Sequence, residues 1–560
     1  MSEFLFHYEP VPPTTWVYLS SLLMICVFFK FGRFWSVRNL DLVLLVLLSP
    51  GLLLVHYGIQ SQQEQQLAQL SEAAEREFTN DANVRGDAPS GDASDGTNDL
   101  RPQSLNEGDR SEAVVTPPPS EPASDATTTV GEIGGGDTLT EAEQPSIEFA
   151  KNVQAVVESV DTEGETTDTN ASSKGLDKQY YGFVWLLTVG GLFVIRLLID
   201  PTMVRRPLLE PNLSTGGLAF MGVSLFVFLM ANVVSSQPNE ADLAGPKSAE
   251  HLLVGTPDDP DSKDPLRLQG PGNAIFHLIP TLVTNPSLFT EGGEPTEMGY
   301  VRTAKAMAIL SHLAIVIGLV VIGYRHFGNI KTGIGAATLY LMLPYTALET
   351  GRVLHVLPAA LLIWMVLCYR KPLWAGIFTG LAIGVVYYPL FLLPLWISFY
   401  WKRGLLRFGL GVTCTLFVVA LSLALVSADF GDYLGNLRRL FGIWEPAMRH
   451  MQGVWGLGWD PLYRLPVMAA FVVMSVALAL WPPQKNLGTL LSCSAAVMVA
   501  SQFWHGYGGG LYIAWYLPLT LLTFLRPNLE DRVALTVLGE GWRPRLRRDL
   551  LARAAVWILP

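Results

Sequence analysis

The sequence predicts an all-α integral membrane protein, a polytopic bundle of about 11–13 transmembrane helices interrupted by a long, disordered, acidic insert. Three observations carry that prediction. Half of the 560 residues are hydrophobic and only 16% are charged, against roughly 25% in a soluble globule. Predominantly apolar runs at 217–234, 303–324 and 405–426 approach the ~20 residues that cross a ~30 Å hydrocarbon core, and they leave no polar face for solvent. Charge is also segregated. Residues 59–178 hold 25 acidic and seven basic side chains, net −18, so the whole-chain net of −11 leaves the remainder at +7.

The elements follow in order. Residues 1–58 form an N-terminal pair of transmembrane helices, with apolar runs at 16–29 and 40–57. The leader MSEFLFHYEPVPPTT has two Glu and no Lys or Arg, so it lacks the basic start of a cleavable signal peptide. Lys30, Arg33 and Arg38 follow the first run, which places that turn in the cytoplasm and the N-terminus outside. The acidic insert, 59–178, has no Trp or Tyr and only two Phe. It cannot bury enough apolar surface to offset the entropy of ordering, although 61–78 suits a nascent helix. A second helix pair, 179–234, turns at Arg205 and Arg206. A large outer loop, 235–301, carries ten acidic and three basic residues, and its stretch Gly270–Pro286 suits a short helix on the membrane surface.

Spans become dense over 302–526. Basic residues at Arg370, Lys371, Lys402, Arg403 and Arg407 require the 374–400 run to enter and leave on one face. That run is too short for two full crossings, so two short helices should meet at the break Tyr387-Tyr388-Pro389. The residues 527–560 form a basic tail with five arginines from Arg543 to Arg553, consistent with a cytoplasmic C-terminus near anionic headgroups. The expected location is therefore the cytoplasmic membrane, multi-pass, N-terminus outside and C-terminus inside.

Soluble-enzyme motifs are absent: there is no P-loop, no HExxH and no nucleophile elbow. The four cysteines, Cys26, Cys368, Cys414 and Cys493, all lie in apolar runs without metal-ligand spacing. Ionisable residues within spans are few. Asp41 and Asp200 sit at span ends, Arg196 and Lys305 can snorkel to an interface, and His312 is the deepest. Three segments near the outer helix ends carry more. Pro344–Arg352 sets Glu349 and Arg352 in a tight turn, a pair suited to a phosphate or a sugar hydroxyl. Ala375–Ala382 places small residues at helical spacing, which permits close helix approach. Ser501–His505 precedes Tyr512, Trp515 and Tyr516 in an aromatic belt.

Taken in order, LMLPYTALETGR, YRKPLWAGIFTGLAIGVVYYPLFLLP and SQFWHGYGGGLYIAWYLPL resemble the membrane-embedded GT-C-type glycosyltransferases, the mannosyltransferase branch in particular. The resemblance covers roughly 300–526. It implies a GT-C-like helical bundle and transfer of a hexose from a polyprenyl-phosphate sugar to an acceptor on the outer face. It also implies a catalytic carboxylate in the first large outer loop, near a divalent metal ion or the acceptor hydroxyl. Asp242 stands closest to the membrane exit and suits a general base; Glu240, Asp259 and Asp261 are the alternatives. Glu349, Arg352, His505, Tyr512, Trp515 and Tyr516 are the expected substrate-binding residues. The family's Lys or Arg before "YP" is Val385-Val386 here, so one contact to the lipid phosphate is missing. The front segment RFWSVRNLDLVLLVLLSPGLLL resembles uncharacterised bacterial multi-pass membrane proteins. Expected partners are the bilayer, a polyprenyl-phosphate sugar and a protein that binds the acidic insert; no nucleic acid is expected. The alternative reading is a non-catalytic scaffolding membrane protein. A transporter is disfavoured by the scarcity of buried charge.

Overall fold

The computed structural model describes residues 11–33, 35–86, 169–203, 210–254, 272–284, 297–424, 427, 429–441 and 451–527. Asp259, Asp261, Arg205, Arg206, the basic tail and the central part of the acidic insert lie outside the described residues. The chain divides into two units, one of residues 1–61 and 173–560 and one of 62–172. The described part of the smaller unit is helical.

Helices account for the secondary structure throughout, and among the described residues there is no strand. In chain order they begin with α1 (Pro13–Phe28), α2 (Val37–Gly86), α3 (Thr169–Ile199), α4 (Thr215–Ser235), α5 (Glu240–Val254) and α6 (Gly272–Thr284). There follow α7 (Glu297–Arg325), α8 (Ile330–Met342), the short α9 (Pro344–Leu348), α10 (Val353–Leu367), α11 (Pro372–Val385) and α12 (Leu393–Tyr400). The last are α13 (Leu405–Ala424), α14 (Phe430–Phe441), α15 (Arg464–Leu480), α16 (Leu487–Ser501) and α17 (Leu517–Leu525). Helix α2 runs through the nascent helix expected at 61–78 and on to Gly86. The Gln, Glu, Ala and Leu of that stretch are good helix formers.

Among the described residues six helices are long and apolar enough to cross a bilayer, and five further apolar helices are shorter, at 10–17 residues. Together these eleven apolar helices fit the expected polytopic bundle, and their unequal lengths have a physical reason. At 1.5 Å per residue the short helices fall below a ~30 Å core, and two of them, α10 and α16, are almost wholly buried among other helices. Every residue of α16 is buried, whereas the spanning window of α4 is only 22% buried. Long helices at the periphery thus shield short central ones, whose irregular ends sit where protein can satisfy the backbone.

The expected break at Tyr387-Tyr388-Pro389 separates α11 from α12, with a 3-10 turn over Tyr388–Leu392 between them. Packing of α11 on α13 rests on the predicted small-residue stripe. A methyl group added at Gly376 would strike the Phe408 carbonyl, and one at Gly411 would strike that of Leu373. At Gly380 it would lie 2.8 Å from Thr415 Cβ. Gly376→Val should therefore force the helices apart and cost about 1–3 kcal/mol, read as a lowered thermal midpoint of the purified protein.

Helix α6 is amphipathic in the reverse of the soluble sense. Asn273, His277 and Thr281 are buried, while Ile279 and Val283 are 74% and 75% exposed. An apolar stripe facing away from the protein suits acyl chains at the membrane surface. At the end of the bundle where α2, α3 and α17 meet, Arg196 does not snorkel. Its Nε and Nη2 donate to Asp41 at 2.6 and 2.8 Å, and its Nη1 donates to Asp200 at 3.0 Å. Arg526 Nη2 donates to the other Asp200 oxygen at 2.8 Å.

Candidate active site

The opposite end of α4 leads to the site. The chain leaves α4 at Ser235, turns through Ser236-Gln237-Pro238 and enters α5 at Glu240. The Asn239 carbonyl accepts from the backbone N–H groups of Asp242 (2.9 Å) and Leu243 (3.2 Å). The Asp242 carboxylate in turn accepts the Asn239 backbone N–H, the back-reaching half of a capping box. It also accepts the N–H of Val353, the first residue of α10. One carboxylate thus serves two helix N-termini, where the backbone dipoles favour negative charge.

The second strand of the site is the turn from α9 to α10. Pro344 opens α9 at the position that tolerates proline, and the Arg352 N–H donates to the Glu349 carbonyl at 3.2 Å. His312 of α7 holds this turn from below. Its Nε2 meets the Thr350 carbonyl at 3.0 Å and its Nδ1 meets the Tyr340 hydroxyl at 3.0 Å. A carbonyl can only accept, so Nε2 carries the proton and Nδ1 accepts from Tyr340. His312 is therefore a packing and anchoring residue.

Arg352 joins the two strands. Its Nη1 lies 3.9 Å from Asp242 Oδ2 and its Nε lies 3.5 Å from Glu349 Oε2. The Asn239 side-chain oxygen accepts from Nη2 at 2.7 Å and from Nη1 at 3.1 Å, in the amide orientation that satisfies both groups. Side-chain exposure is 4% for Asp242, 21% for Glu349 and 36% for Arg352. The cluster flanks a pocket of about 200 Å³ whose lining includes Gln237, Asn239, Asp242, Lys305, Gly351 and Arg352. Burial pushes the Asp242 carboxyl up to about 6, against the opposing pull of Arg352 and the two backbone N–H groups. Burial likewise raises Glu349 to about 7, with Arg352 opposing and the Asp242 charge adding to the rise.

Next to this cluster stands a file of rings. Tyr512 lies 4.5 Å from His355, 4.5 Å from His505 and 4.4 Å from Trp515, ring centre to ring centre. Tyr388 stacks on His505 at 4.9 Å. Burial pushes the Tyr512 phenol up to about 12, and the charges of Arg352 and Glu349 act on it in opposite directions. Burial, with a lesser effect of Arg464, holds His505 at about 3 and hence neutral.

Of the residues singled out from the sequence, Asp242, Glu349, Arg352 and Tyr512 come together. His505 stands one ring further in. Trp515 is buried with its Nε1 donating to the Leu354 carbonyl at 3.0 Å, and Tyr516 packs against Phe193 at 6.2 Å. Glu240 is exposed in the first turn of α5. Asn239 and His355 are further neighbours without a role in the sequence motifs, and Lys305 and Tyr388, expected only as a snorkelling side chain and as part of a helix break, also stand at the site. For Asn239 a signal existed: Asn-x-x-Asp before a helix is a capping pattern. A divalent metal does not fit well here. Asp242 and Glu349 both face the Arg352 guanidinium, and among the described residues no group of three or more His, Cys, Asp or Glu could hold a metal ion.

Residues 295–524 match the family model of glycosyltransferase family 87. That stretch is less than half of the chain, coincides with the region resembling GT-C-type enzymes, and leaves Asp242 outside it. Neither the curated proteins nor the solved structures compared gave a match.

Proposed function

We propose, with the family 87 match over residues 295–524 as premise, that this chain is a membrane glycosyltransferase moving a hexose from a polyprenyl-phosphate donor to an acceptor hydroxyl on the outer face. The observation that carries the reading is the Asp242–Arg352–Glu349 cluster at the pocket, which gathers a loop carboxylate, a guanidinium and a second carboxylate beside Tyr512. In the reaction Asp242 takes the proton of the acceptor hydroxyl as its oxygen bonds to the anomeric carbon. The bond from that carbon to the phosphate oxygen breaks, and the polyprenyl phosphate leaves with the electron pair. Cationic groups at the pocket offset the charge developing on the phosphate. Near pH 7 Glu349 can donate or accept a hydrogen bond, which suits a sugar hydroxyl, and Tyr512 and His505 offer ring faces to the sugar or lipid. Trp515 and Tyr516 support those rings from behind. The bundle sits in the cytoplasmic membrane, N-terminus outside and C-terminus inside, with the acidic insert available to a protein partner.

The test is a transfer assay with labelled polyprenyl-phosphate hexoses and lipid extracts as acceptor. Asp242 acts as a base only when ionised, so the rate at low donor concentration should fall tenfold per pH unit below about 6 and level off above it. A rate independent of pH between 5 and 7 would remove Asp242 from that role. The non-catalytic reading assigns Asp242 only to capping α5 and α10. It predicts no transfer from any such donor.

A further inference from the structure

We infer that Lys305 is the cation that holds the phosphate in the pocket, while Arg352 positions the two carboxylates. The inference rests on the glycosyltransferase reading of this site and deepens it. Two cationic side chains line the pocket, Lys305 and Arg352, but they are differently occupied. The guanidinium already faces Asn239 at 2.7 and 3.1 Å, Glu349 at 3.5 Å and Asp242 at 3.9 Å. An incoming phosphate would have to compete with all three. Among the described residues Lys305 Nζ donates to a single protein group, the Val234 carbonyl at 2.8 Å, and no carboxylate pairs with it. Val234 belongs to the last turn of α4, where carbonyls lack helical partners.

An ammonium group has three N–H donors, so one carbonyl leaves Lys305 free to bind another acceptor. Lys305 on α7 and Asp242 on α5 both line the pocket, and among the described residues no ion pair joins them. A phosphate bound at Lys305 would leave the Asp242–Arg352 contact in place and Asp242 available to receive a proton. With Asp242 ionised, the lining of the pocket carries net positive charge only with Lys305 included. Without that side chain a phosphate would enter a site with no surplus positive charge, beside Glu349.

The experiment compares binding of a short-chain polyprenyl phosphate with the phosphate-free polyprenol of equal length, using the purified full-length protein in lipid nanodiscs. Wild type should prefer the phosphate by roughly tenfold or more, the worth of a charge-assisted hydrogen bond. Lys305→Gln and Lys305→Met should lose that preference while binding the polyprenol as wild type does, and Lys305→Arg should keep it. In transfer assays Lys305→Gln should raise the donor KM more than it lowers kcat. If either neutral variant retains the full phosphate preference, Lys305 is not the anchor although the donor reading stands. If wild type shows no preference at all, the polyprenyl-phosphate reading falls, and this assignment with it.

Discussion

Asp242→Asn is expected to slow sugar transfer by roughly 100- to 10,000-fold, the usual contribution of a positioned general base. The substitution isolates the chemistry well. The carboxylate accepts backbone N–H groups from Asn239 and Val353, and an amide oxygen of the same shape can still accept one of them. Capping of α5 and α10 should then weaken by about 1 kcal/mol rather than collapse. An amide cannot take up a proton at neutral pH, so the acid limb near pH 6 should vanish along with the rate. Turnover at saturating donor, donor affinity and the thermal midpoint should be measured together. Loss of turnover with affinity retained supports the base; full turnover in Asp242→Asn sinks it.

Asp200→Ala is expected to be the most destabilising single change, at about 3–5 kcal/mol, because it strands buried positive charge. Asp200 is fully buried and receives Arg196 at 3.0 Å and Arg526 at 2.8 Å. Arg196 keeps Asp41, but Arg526 loses the one carboxylate shown to pair with it. The cost should shrink when Arg526 is removed as well, so Asp200→Leu combined with Arg526→Leu should recover much of the thermal midpoint lost by Asp200→Leu alone. The network lies at the end of the bundle away from the pocket, so turnover per folded molecule should be unchanged. A double variant no more stable than the single one would contradict this electrostatic account.

What the sequence made legible follows from how local each signal is. Apolar runs, the proline break after Tyr388 and the glycine stripe opposite Gly411 act within a few turns of one helix, so pattern alone locates them. The Glu349–Arg352 pair is legible for the same reason, being three residues apart in one turn. The junction of Asp242 with Arg352 is not, because it depends on how α5 and α10 come together across more than one hundred residues. Arg196 illustrates the opposite error. Snorkelling is the simplest fate of an arginine near a span end, and only the packed helices reveal that Asp41 and Asp200 await it. The lengths of the helices are less legible than their number, because an apolar run gives composition, whereas the length of the helix within it depends on what encloses its ends.

The pocket between α4, α5, α7 and the α9–α10 turn is proposed to bind a polyprenyl phosphate. The most direct measurement is an experimental structure of the protein purified with its native lipids. Density for a lipid phosphate within hydrogen-bonding distance of Lys305, with its carbon chain leading out into the bilayer and Asp242 facing the first sugar position, is the predicted result. A lipid phosphate bound at another part of the bundle, with this pocket closed by protein side chains, would contradict it.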